Sequence, residues 1–141
     1  DPAADPAASP PAAEGPADVL SDDALAHIDI ILNAADGKAR AYSARQLREL
    51  ADAEPIPPVI LHVAELELAG GKCAAKKPWV EALAADRDPR ALPALRRLAA
   101  APRDGCGNLF NRVDCYGCLR KALDAAIRDL QDLEELSQET P

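Results

Sequence analysis

One run constrains this chain more than any other: Asp88-Pro89-Arg90-Ala91-Leu92-Pro93-Ala94-Leu95-Arg96-Arg97-Leu98. Asp88 is suited to cap a helix, and Pro89 fits the first helical position, where a missing N–H costs nothing. Leu92, Leu95 and Leu98 then recur at helical spacing rather than in strand alternation. So short a break between two helices is expected to fold them antiparallel. Joints of this kind belong to stacked helical arrays, which serve more often as binding scaffolds than as catalysts.

Composition narrows the core and the partners. Apolar residues make up 48% of the chain but aromatics only 3%, so the core must be built from Leu, Ala, Val and Ile. Ala-rich faces let helices approach closely, which suits helix-on-helix layers. The net charge of −8 lacks the basic footprint of a nucleic-acid binder. The most apolar run, Val59 to Leu68, is interrupted by His62, Glu65 and Glu67 and falls short of the ~20 residues a membrane span needs. The chain contains no methionine, so residue 1 is expected to arise by cleavage or by deliberate truncation, either of which could have removed an export signal or anchor.

Residues 1–18 form a Pro/Ala-rich stretch with almost no large apolar side chain, expected to be a disordered tail or tether. A helical domain is expected over 19–136 and a frayed C-terminus over 137–141. Six helices are predicted, over about 22–35 and 38–53, then one started by Pro55, Pro57 and Pro58 and carrying Val59 to Leu68, and over about 73–85, 89–100 and 115–136. Pro78 predicts a kink or a late start in the fourth helix. Gly70-Gly71 is placed to end the third. Arg40, Ala44 and Leu47 match Lys76, Val80 and Leu83 at a constant offset of 36, since 76−40, 80−44 and 83−47 agree. Val80 and Leu83 match Ile127 and Leu130 at 47, and the surplus falls on the loop from Gly105 to Cys115. Such a period predicts an all-α, right-handed α-α superhelix of three antiparallel helix pairs with one decorated turn.

From Lys72 to Leu130 the chain resembles HEAT-like repeats of the short phycobilisome-lyase type, with Asp-Pro-Arg-Ala-Leu-Pro-Ala-Leu at 88–95 close to their turn. A narrower resemblance is to the helical-repeat domains that follow the kinase domain in some bacterial serine/threonine protein kinases. It is carried by Cys73 before the junction and by Cys118-Leu119-Arg120 near the last helix. The resemblance implies an extracytoplasmic module of a larger, membrane-linked protein. No kinase motif is present in the chain.

Four cysteines at 73, 106, 115 and 118 allow three disulfide connectivities. The preferred one is Cys73–Cys118, stapling helix 4 to helix 6, with Cys106–Cys115 closing the inserted loop. Both require an oxidising compartment. The alternatives are a four-thiolate zinc site or a redox-active Cys115-x-x-Cys118 pair.

Leu109 and Phe110, on the inserted loop, are expected either to contact a partner or to plug the open end of the array. Arg40, Arg48 and Lys77, with Lys38, Arg45, Lys76, Arg120 and Lys121, could line up as a basic stripe for an acidic partner surface. The competing reading is pairing with local carboxylates such as Asp36, Glu49 and Glu81. His27 and His62 lack the repeated His-Glu pairs of metal-binding HEAT-like enzymes, Ser43 and Ser137 have no partner nearby in sequence, and Trp79 is expected between helices 4 and 6. Together these readings predict a non-catalytic, monomeric domain without a cofactor that binds a protein or peptide. The alternatives are a metal- or cofactor-binding accessory domain built on the four cysteines, or a structural spacer.

Overall fold

Six helices follow the hydrophobic stripes in a computed structural model whose described residues are 19–70 and 73–139. They are α1 (Asp22–Asn33), α2 (Gly37–Leu50), α3 (Pro58–Leu68), α4 (Cys73–Asp86), α5 (Leu92–Ala99) and α6 (Arg120–Glu139). The fold is mostly helical. It is not purely so: the inserted loop forms a two-stranded antiparallel hairpin, β1 (Cys106–Asn108) and β2 (Asn111–Val113). The tail expected at 1–18 lies outside the described residues.

Local chemistry sets the boundaries. Ser21 caps α1 by accepting from the Ala24 N–H, and its own N–H and hydroxyl donate to Glu54 at 2.8 and 2.9 Å, tying α1 to the loop before α3. Asp36 caps α2 in the same way, and Pro58 begins α3. α4 runs through Pro78 from Cys73. It ends with Arg87 in the left-handed region at φ 53°, which turns the chain into Asp88.

The junction starts with a 3-10 turn, Pro89–Ala91, rather than a regular α turn. Pro93 has no N–H to return to Pro89, so the first turn tightens and the Leu92 N–H bonds to Pro89 instead. α6 begins later than expected for a related reason. Residues up to Leu119 are held in turns, with Gly117 N–H donating to Asp114 and Leu119 N–H to Tyr116. It also ends later, at Glu139, because Ser137-Gln138-Glu139 contains no helix breaker.

Packing is sequential with two departures. α1 packs on α2, α2 on α3, α3 on α4, and α5 on α6. α4 meets α6 rather than α5 across the short junction, and α1 reaches both α3 and α5. The core joins Ile31, Leu47, Ile60, Val80, Leu83, Leu95, Leu123 and Leu130, all essentially inaccessible. Each such side chain contributes about 1.5–3 kcal/mol by leaving water. Trp79 is only partly buried, and its ring lies 6.0 Å from that of His62, on the α3 side of α4.

Candidate functional site

The hairpin presents the residues singled out on the inserted loop. Its register pairs Cys106 with Val113, Gly107 with Arg112 and Asn108 with Asn111, leaving Leu109-Phe110 as a two-residue tip. The Asn108 side-chain oxygen accepts from the Phe110 and Asn111 N–H groups at 2.9 and 2.8 Å, closing the turn from inside. Gly107 sits at φ +90°, and a Cβ there would stand 2.0 Å from the Asn111 carbonyl oxygen, so only glycine fits. Phe110 is 94% exposed and Leu109 79%. They do not plug the array; the tip stands clear of the core.

Two disulfides hold this corner. Cys106 joins Cys115 across the base of the hairpin, and Cys73, at the start of α4, joins Cys118, just ahead of α6. The bridges use all four sulfurs, so no thiolate remains for a metal or for a Cys115–Cys118 couple. Among the described residues no other His, Cys, Asp and Glu side chains converge as metal ligands.

Half of the basic stripe is tied up in contacts within the fold. Arg40 donates to the Ala34 and Ala35 carbonyls at the end of α1 and pairs with Glu67 at 2.9 Å. Arg48 grips Glu65 through two bonds of 2.9 and 2.7 Å. Lys77, like Lys38, Arg45 and Lys121, is exposed without an ion pair among the described residues. The carboxylates that neutralise the arginines come from α3, not from the local Asp36, Glu49 or Glu81. Buried Lys76 donates to Leu66 and Ala69 carbonyls at the end of α3. Arg120 donates to Ala99 and Ala101 at the end of α5 and is locked to Asp114. Thus α1, α3 and α5 each end on a cation supplied by the first turn of the following α2, α4 or α6. Unsatisfied C-terminal carbonyls draw positive charge inward, which explains why Arg40, Lys76 and Arg120 are withdrawn from the stripe.

Several contacts were not legible in sequence. Arg97 of α5 crosses to α1 and donates to Ile31 and Leu32 carbonyls at 2.9 Å each. Its Nε is buried without a partner among the described residues. Burial first, and then the charge of Arg40, hold the Arg97 guanidinium below its ordinary range, with Glu67 opposing both. Glu67 was the available clue: a carboxylate in the last turn of α3 opposes the helix dipole and calls for a cation. Burial likewise lowers the Lys76 ammonium, with Glu67 opposing.

The histidines have definite partners. His27 Nδ1 lies 2.9 Å from the Ser43 hydroxyl, and Nε2 lies 3.7 Å from Asp23. The three residue types match a hydrolytic triad, but Ser43 is fully buried and Asp23 sits at the surface, so the nucleophile is sealed from any substrate. His62 Nδ1 lies 2.6 Å from Asp86, linking α3 to α4. No helix among the described residues is long and apolar enough to cross a membrane. No known protein family, characterised protein or solved structure matches the chain.

Proposed function

We propose that this chain is a non-catalytic module that binds a protein or peptide through the hairpin tip. The observation that carries it is Phe110, 94% exposed on a turn braced by the Cys106–Cys115 bridge. A rigid loop presenting apolar side chains loses little entropy on binding and gains buried area. An exposed Phe and Leu at one tip have no role in the core. We read the helices as a short HEAT-like superhelical array, supported by the recurring cation at the ends of α1, α3 and α5. The contact of α1 with α5 makes it a tighter array than an open solenoid. Two disulfides favour an oxidising, extracytoplasmic setting. Attachment to a larger membrane-linked protein, such as a kinase, fits that setting.

Peptides selected from a random library against the folded chain test the reading. Affinity for Phe110→Ser is expected to fall at least about tenfold, the scale of a modest hot spot, with an unchanged circular dichroism spectrum. Peptides that bind Phe110→Ser as tightly as the parent would remove the tip from the interface. Failure to select any binder would favour a spacer.

A further inference from the structure

A second site lies away from the tip, in a cavity of about 180 Å³ lined by Arg40, Glu67, Lys76, Arg97 and Tyr116. Its polar lining is unbalanced. Three cations face one carboxylate, and Glu67 Oε2 already accepts from Arg40 Nε at 2.9 Å and from Arg97 Nη2 at 3.4 Å. The C-terminal ends of α1 and α3, which these cations cap, add roughly half a negative charge each. About one positive charge remains uncompensated in a partly desolvated space.

The donors are also incompletely used. Arg97 Nε is buried with no acceptor among the described residues. Among the described residues Lys76 Nζ makes hydrogen bonds only to the Leu66 and Ala69 carbonyls, one fewer than its three protons allow. The Tyr116 hydroxyl has no hydrogen-bond partner among the described residues, and its ring forms part of the wall. The volume holds several groups of water size, at ~30 Å³ each. We propose that this cavity binds a small oxyanion, the carboxylate or phosphate group of a small ligand, held by Lys76, Arg97 and Tyr116 against the counter-charge of Glu67.

The mechanism is charge completion. The oxyanion supplies the negative charge and the acceptor lone pairs that the protein leaves out, and the low-dielectric wall strengthens the pairing. Glu67 sets affinity by partial competition. This inference does not rest on the hairpin, so Phe110→Ser is expected to leave it intact.

The test is calorimetric or NMR titration of the full chain with inorganic phosphate and, separately, with acetate, at ionic strength held constant with sodium chloride. Saturable binding to one or both is expected with a Kd near ~1 mM or tighter. The two arms tell which headgroup fits. Glu67→Gln removes the competing charge and should tighten binding about fivefold, whereas Lys76→Gln should weaken it by a similar factor. Should either variant be too unstable to titrate, the rise in its melting temperature with phosphate is read instead, and should be larger for Glu67→Gln than for the parent. Absence of saturable binding up to ~20 mM overturns the proposal. So does binding that neither charge change alters.

Discussion

The two disulfides look alike in sequence but should contribute very differently to stability. In the chain-entropy account, a crosslink stabilises by restricting the unfolded chain, and the effect grows with loop length. The Cys73–Cys118 bridge spans 45 residues and the Cys106–Cys115 bridge 9. The corresponding terms are about 4 and about 2.6 kcal/mol. That calculation assumes the folded state is unchanged when the bridge is cut. For Cys73–Cys118 the assumption holds, because α4 packs on α6 and on the turn just before it, with Val80, Leu83, Leu119 and Leu123 in one buried cluster. For Cys106–Cys115 it fails. Residues 102–113 are all exposed, so the hairpin can loosen within the otherwise folded protein and recover the entropy there too. Cys73→Ala/Cys118→Ala should therefore cost about 4 kcal/mol, a large share of a typical 5–15 kcal/mol. Cys106→Ala/Cys115→Ala should cost well under about 1 kcal/mol. Urea unfolding of the two double variants, followed by far-ultraviolet circular dichroism, measures both. Equal losses, or the reverse order, would refute the claim that the hairpin is energetically separate from the core.

Three further outcomes follow from individual contacts. Leu95→Ala, at a fully buried site on α5, should destabilise by about 2–5 kcal/mol in the same assay. Gly107→Ala should break the hairpin register, because its Cβ meets the Asn111 carbonyl, while leaving the urea midpoint almost unmoved; cross-strand nuclear Overhauser contacts between Gly107 and Arg112 report the loss. Hydrogen bonding from Arg120 holds the Asp114 carboxyl below its ordinary 3.8, so the stability it supplies is complete above that value and is lost as pH falls through the folded pKa. The penalty of Asp114→Asn should accordingly be full at neutral pH and shrink as pH drops below 3.8, and a penalty independent of pH would argue against the Arg120–Asp114 lock.

Most of the helical scaffold was legible because the Leu, Ile and Val stripes are long and locally periodic, and because Ser21 and Asp88 mark helix starts by short-range chemistry. The hairpin was not. Its strands are three residues each, below the length at which alternation can be read, and its turn is stabilised by the Asn108 side chain rather than by an Asn-Gly pair. The packing of α4 on α6 was anticipated in the Cys73–Cys118 pairing, but that α4 turns away from α5 was hidden, since a short junction fixes where a chain turns but not which faces bury most surface.

The charged residues show where sequence reading reaches its physical limit. Arg40 and Lys76 align at one offset, and that regularity was correctly visible. Its meaning depends on where the preceding helix ends. A cation in the first turn of a helix is normally unfavourable beside its own dipole and points outward. Here the preceding helix delivers its bare carbonyls within reach, Ala34 and Ala35 for Arg40, Leu66 and Ala69 for Lys76. Bonds from a charged donor to those carbonyls outweigh the local penalty. The spacing therefore encodes a capping device repeated along the array. Arg97 exceeds that need, since α1 already ends on Arg40. The surplus charge beside Glu67 is what sets the cavity apart from an ordinary helix end.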